Sequence, residues 1–215
     1  MQNDDLKKIL DFSHILHSVK NILRFKGMPG WEETTIDRWD SVAEHCFRLA
    51  ILVVLLAPRL KEKISVERAL KMALAHDLVE IYAEDFHPIQ SHNGAGGHAF
   101  NQDAYEEKIK RERDAAQRLF SHLPEQEQAE FHDLWEDYAR TKLDPANASP
   151  EGRLVYGLDK LEAAIQIVDY APGFSNWVST ERSREYTTKW ASYDAVLNEF
   201  NDLVQSEMDK KAGRL

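Results

Sequence analysis

Two stretches decide how this chain is read: SVAEHCFRLAILVVLLAP, residues 41–58, and ALKMALAHDLVEIYAED, residues 69–85. Both read as helices that are apolar on nearly every face, a pattern of buried rather than surface helices. Ser41-x-x-Glu44 is a capping box that opens the first, and Pro58 stops it. Ser65 is a cap for the second, which must end before His87-Pro88 because the residue before proline disfavours the α region. Yet the first carries His45, and the second carries His76, Asp77 and Glu80. At 3.6 residues per turn, His76 and Glu80 are one turn apart, and Asp77 lies beside them within an arc of about 100°. Buried polar groups without partners cost roughly 1–3 kcal/mol each, more when charged. Something must satisfy this cluster, and a metal ion would.

Working outward, residues 4–25 place Leu6, Ile9, Leu10, Phe12, Ile15, Leu16, Val19, Ile22 and Leu23 at helical spacing. The segment KGMPG, residues 26–30, ends that helix, and a loop with Trp31, Arg38 and Trp39 follows. Beyond the central pair, residues 86–101 form a polar, glycine-rich loop carrying His87, His92 and His98. It reads as a surface loop, with a lid or a further ligand as the alternatives. Residues 102–122 and 125–141 are charged amphipathic helices, the latter opening after Pro124. After LDPANASPEG, with Ser149 as cap, the segment GRLVYGLDKLEAAIQIVDY is a long helix carrying Asp159. APGFSNW breaks it, and a last amphipathic helix spans roughly 183–211. No strand-period alternation appears. The expectation is an all-α bundle of about six or seven helices in a single domain, 1–215.

Composition narrows the function. A formal net charge of −10 and a pI near 5.4 argue against broad affinity for nucleic acid or anionic membranes. They do not exclude phosphorylated substrates, because a bound cation inverts the local field. The longest apolar run, LAILVVLLA, falls short of the ~20 residues that span a bilayer. MQNDDLKKIL is too acidic and amphipathic for a signal peptide. The single cysteine, Cys46, sits within the apolar 41–57 helix and reads as a packing residue of a protein in a reducing compartment, which points to the cytoplasm. The aromatic residues Trp135, Phe174, Trp177 and Trp190 read as core or dimer packing.

The sequence also supplies its own control for the histidine–aspartate pair. His132-Asp133 recurs within a similar HDLxE string, but there the apolar stripe is Phe131, Leu134, Trp135 and Tyr138. Asp133 points away from that stripe and His132 lies at its edge, so this copy reads as solvated surface. His45 shares a face with Leu49, Leu52 and Leu56, and Asp159 sits between Val155, Leu158 and Ala163. Taken alone, His45 reads as a core histidine bonded to a carbonyl, and Asp159 as half of a salt bridge with an arginine elsewhere in the fold. Together with His76 and Asp77 they make two imidazoles and two carboxylates on three apolar helices. That set suits Mn, Co, Fe or Zn better than Mg, which favours oxygen ligands only.

The order His45, His76-Asp77, Asp159, with the strings SVAEHCFRLA and ALAHDLVEIYAED, resembles the HD-domain metal-dependent phosphohydrolases. Within them it is similar to the branch of the bacterial 5′-deoxynucleotidases and their eukaryotic HD-domain-containing relatives. The likeness covers roughly residues 10–170. It implies an all-helical homodimer with one divalent metal ion per subunit, releasing phosphate from a (deoxy)ribonucleoside 5′-monophosphate. His45, His76, Asp77 and Asp159 match the ligands, Glu80 the catalytic acidic residue, and Asp85 an acidic residue near the sugar. Arg24, with Lys26 as rival, and Trp31 match an arginine and tryptophan used on phosphate and base, although FKGMPG separates them here. Arg38 is a second candidate phosphate clamp, or else a surface ion pair. The competing expectations are a nucleotide phosphodiesterase or pyrophosphohydrolase, such as an alarmone hydrolase, and a non-catalytic metal- or nucleotide-sensing module.

Overall fold

The computed structural model describes residues 2–25, 38–84, 97–98, 101–170 and 180–211. Among them nine α-helical segments follow in order: α1 (Gln2–Leu16), α2 (Val42–Leu56), α3 (Val66–Ala75), α4 (Glu80–Ala83), α5 (Gln102–Phe120), α6 (Glu125–Leu143), α7 (Pro150–Tyr170), α8 (Thr180–Ala191) and α9 (Ala195–Lys211). No strand is present among the described residues, so the all-α expectation holds.

Three expected helices are divided. The first turns into a 3₁₀ stretch at His17–Asn21, where Ile22 bonds back to the Val19 carbonyl. The helix through His76 stops as an α-helix at Ala75, and i→i+3 bonds carry the chain through residues 76–79 to α4. Such tight pieces inside a helical run often mark functional bends. The last is two helices, with Asp194 accepting from the Val196 N–H at the start of α9.

The capping box is formed as the sequence predicts. Ser41 Oγ accepts from the Glu44 N–H, and the Glu44 carboxylate accepts from the Ser41 N–H at 2.9 Å. A cap of this kind is worth about 0.5–2 kcal/mol. It also fixes the chain before it: Arg24 N–H donates to the Asp40 carbonyl and Val42 N–H to the Ile22 carbonyl, both at 2.9 Å. The residues that follow the first helix are thereby held against the start of α2.

α7 is the centre of the bundle. It packs against α2, α3, α6, α8 and α9, and Leu154, Val155, Leu158 and Leu161 are wholly buried. They meet Leu49 and Val53 of α2, Met72 of α3 and Leu197 of α9 in one core. A second core joins Phe12, Val79, Ile109, Phe120 and Trp135. Each large apolar side chain so buried contributes about 1.5–3 kcal/mol. Trp190 and Trp135 are core residues, as expected; Phe174 and Trp177 lie outside the described residues. α7 and α8 approach so closely that a Cβ on Gly157 would stand 2.8 Å from the Trp190 carbonyl oxygen.

Candidate metal centre

Three elements converge on one point inside the bundle. α2 supplies His45, the bend after α3 supplies His76 and Asp77, and α7 supplies Asp159; all four residues are buried. His45 Nε2 lies 3.4 Å from His76 Nε2, 3.3 Å from Asp159 Oδ1 and 3.5 Å from Asp77 Oδ2. His76 Nε2 lies 3.2 Å from Asp77 Oδ2. One ligand atom each from His45, His76 and Asp159 falls within 4.8 Å of the others.

The partners of the other ring nitrogens decide what these contacts mean. His76 Nδ1 is 3.0 Å from the Ala73 carbonyl, which can only accept, so that nitrogen carries the proton. His45 Nδ1 meets the buried carboxylate of Glu162, which imposes the same tautomer. In the neutral rings both Nε2 lone pairs then face one another across 3.4 Å. Two lone pairs so placed repel unless a proton or a metal ion lies between them. Ligands about 2.0–2.2 Å from one ion stand roughly 3–3.5 Å apart, which is the spacing found. The donor set fits a divalent ion.

Electrostatics point the same way. Burial and the Arg24 cation oppose protonation of His45, yet Glu162 and Asp159 raise its imidazole to about 9. Burial also works against ionisation of Asp77, and the two imidazoles overcome it and hold that carboxyl far below its usual range. For Asp159 the opposing burial is overcome first by Lys160 and then by His45. Tyr138 donates to Asp159 Oδ2 at 2.5 Å, and Lys160 contacts the same oxygen, so the other oxygen faces the imidazoles. Glu162 is itself clamped: Arg48 Nε donates to it at 2.6 Å. Against burial, His45, Arg24 and Arg48 keep its carboxyl low.

Arg24 is brought in by the bridge to α2. Its Nη1 lies 3.4 Å from Asp77 Oδ2 and its Nε donates to Gln166 at 3.2 Å. Glu80 opens α4, buried, and its N–H bonds back to the Asp77 carbonyl at 3.1 Å. Arg38 stands apart on the surface in an ion pair with Glu44 of the capping box. Trp31, Lys26, Asp85, His87 and His92 lie outside the described residues, whereas the His98 carbonyl accepts from Lys142.

A profile of the HD domain matches residues 18–209. The chain belongs to the HD-domain family. A 5′-deoxynucleotidase HDDC2 from Danio rerio is 30% identical over 167 residues, covering 77% of this chain and 70% of that protein. Its Xenopus laevis counterpart is 27% identical over 164 residues, covering 76% and 70%. Among solved structures, a predicted metal-dependent phosphohydrolase from Magnetospirillum magnetotacticum shares the fold with a TM-score of 0.72 at 24% identity, over 99% of this chain and 98% of that one. A conserved hypothetical protein from Pyrococcus furiosus superposes with a TM-score of 0.67 at 27% identity, over 92% and 99%.

Sequence reasoning missed Glu162, Arg48, Tyr138 and Lys160. Glu162 had a signal: it lies three residues after Asp159 on the same face of α7, as His45's partner must. The isolated readings of His45 and Asp159 are also corrected in detail. His45 bonds a carboxylate rather than a carbonyl, and Asp159 pairs with Lys160 rather than an arginine.

Proposed function

We propose that this HD-domain protein is a divalent-metal-dependent phosphohydrolase. Its substrate is a phosphate monoester, a (deoxy)ribonucleoside 5′-monophosphate, which it converts to nucleoside and phosphate. The observation that carries this reading is the pair of imidazole Nε2 atoms 3.4 Å apart, walled by two carboxylates. The 5′-deoxynucleotidases to which the chain is similar support the substrate class.

His45, His76, Asp77 and Asp159 would hold one ion. Two imidazoles favour Mn, Co, Fe or Zn over Mg. When bound, the ion supplies Lewis-acid chemistry, offsetting charge on phosphoryl oxygens and making water more acidic. The chain's own residues do the rest. Glu162 and the Ala73 carbonyl fix both rings so that Nε2 points inward. Arg24, beside Asp77, presents a planar cation to the phosphoryl oxygens. Glu80, one turn after His76, takes a proton from the attacking water or returns one to the leaving ribose oxygen. By the resemblance, Asp85 would contact the sugar and Trp31 the base, and Arg38 would reach the phosphate only by leaving its ion pair with Glu44.

The protein acts in the cytoplasm as a homodimer, without nucleic-acid or membrane partners. Phe47, Ile51, Val54 and Leu55 lie along one side of α2 at i, i+4, i+7 and i+8, all exposed, with Phe47 at 67%. Such a stripe supports a self-association face. No helix among the described residues is long and apolar enough to cross a membrane.

The test is phosphate release from a panel of deoxyribo- and ribonucleoside 5′-monophosphates by chelator-stripped protein with Mn, Co, Mg or Zn restored. Release that needs the metal and vanishes in Asp77→Ala is the expected result. Silence on monophosphates alongside turnover of diesters or alarmones would move the reading to that chemistry. Metal and nucleotide binding without any turnover would move it to a sensor.

A further inference from the structure

Behind Asp159 the acidic protein gathers positive charge. Four helices each contribute one lysine: Lys160 of α7 lies 4.4 Å from the centre of the Tyr156 ring, and Lys189 of α8 lies 4.7 Å from that of Trp190, which packs on Tyr156 at 4.7 Å. Lys142 stands one turn after Tyr138, the α6 residue that donates to Asp159, and Lys108 stands one turn after Tyr105 on α5. Lys160 contacts the Asp159 oxygen that faces away from the imidazoles. Lys108 pairs with Glu112 and lies within the field of Glu80 and Asp77. The side chains of Lys108 and Lys160 are 14% and 17% exposed, so both are nearly enclosed yet still reach solvent.

Lys142 is the informative member. Its Nζ donates to the His98 carbonyl at 2.5 Å and lies 3.9 Å from the centre of the Tyr105 ring. Among the described residues no carboxylate makes an ion pair with it, in a chain with 37 acidic residues. Burial, and then the cations of Lys160, Lys189 and Lys108, lower its ammonium to about 7. Like charges concentrated in a partly buried region are unfavourable unless an anion joins them. The shortage grows when Asp159 shares its charge with an ion, because Lys160 then loses part of its counter-charge.

We propose that Lys142, Lys108 and Lys160 form an anion-binding patch beside the metal centre that receives the phosphate group of the substrate. That the anion is a substrate's phosphate rests on the function proposed above; that the patch binds a phosphate-like anion does not. Ammonium groups on flexible stems suit a tetrahedral oxyanion that arrives bound to ribose and leaves free. The patch therefore acts on affinity for substrate and for product alike.

Orthophosphate binding to the metal-loaded full chain, followed by calorimetry at matched metal content, tests the patch directly. Lys142→Gln is expected to weaken binding tenfold or more, Lys142→Arg to restore it to within about threefold, and Lys63→Gln, an exposed lysine elsewhere, to leave it unchanged. In turnover, Lys142→Gln raises KM for monophosphates and the inhibition constant of inorganic phosphate in parallel, with kcat far less affected. Acylation of amines in the wild-type protein, mapped by peptide mass, needs no variant: phosphate should slow labelling of Lys142 and leave Lys63 alone. Lys142→Gln binding as wild type does, or weakening equally shared by Lys142→Arg, or no protection by phosphate, overturns the proposal. Lysine-dependent phosphate binding in a protein that hydrolyses no nucleotide keeps the patch and removes the proposed reaction. Hydrolysis of monophosphates without any dependence on Lys142 does the reverse.

Discussion

The string HDLxE occurs twice in this molecule, and the two copies have opposite fates. His76 and Asp77 are buried, meet His45 and Asp159, and are followed by a buried Glu80. His132 lies half-buried with its ring edge-on to Phe120, and Asp133 pairs with Arg68 while its side chain stays 68% exposed. Even the glutamates differ, since Glu136 forms a surface ion pair with Arg113. Five residues of sequence set none of this. What differs is the neighbourhood: the first copy is crossed by α2 and α7, each bringing one more ligand-type side chain from far away in the sequence. The second runs along the outer face of α6.

Mutation separates the two copies most strongly. His76→Ala or Asp77→Asn should reduce phosphate release by roughly a thousandfold, about 4 kcal/mol of transition-state stabilisation. His132→Ala and Asp133→Asn should stay within about twofold. Steady-state rates on the best monophosphate decide it, and equal losses in both pairs would erase the distinction. Next in size is Glu162→Gln, for which only the first copy has a counterpart. Loss of the carboxylate behind His45 should weaken metal binding about 10–100-fold in a chelator competition, with the ion still accommodated.

Proton linkage sharpens the contrast further. The His45 imidazole is raised to about 9, so a proton occupies the site at neutral pH when no ion does. Metal binding should therefore release about one proton at pH 7, and affinity should rise about tenfold per pH unit until it levels near pH 9. Calorimetry in buffers of different ionisation enthalpy counts that proton. The sign for the metal-free fold is opposite: the raised His45 pKa contributes stability that is complete below its unfolded value and is lost as pH climbs through about 9. Smaller effects concern stability alone. Gly157→Ala forces a Cβ to 2.8 Å from the Trp190 carbonyl and should cost about 1–3 kcal/mol, seen as a lower Tm, because backbone cannot swing aside. Asp133→Asn removes only an exposed ion pair and should cost under about 1 kcal/mol.

Much of this was legible in the residues themselves. The capping box at Ser41, the apolar faces of α2 and α7 and the control offered by Asp133 all follow from short-range pattern, and the structure repeats them. The break after Ala75 was not legible, because nothing in MALAHDLVEIYA forbids a continuous helix; the change to i→i+3 bonding appears only in the packed bundle. Periodicity puts Glu162 on the face of Asp159, but it could not name His45, 117 positions away, as the partner. A face can be read from sequence, but the partner that crosses it cannot. The lysines behind Asp159 were invisible for the same reason, one from each of four helices.

The most direct measurement is an anomalous-scattering map of crystals grown with Mn²⁺ at the ion's absorption edge. A single strong peak per chain is expected, enclosed by His45, His76, Asp77 and Asp159, with nothing at His132 and Asp133. A peak at the second copy, or an empty first copy in protein saturated with metal, would contradict it.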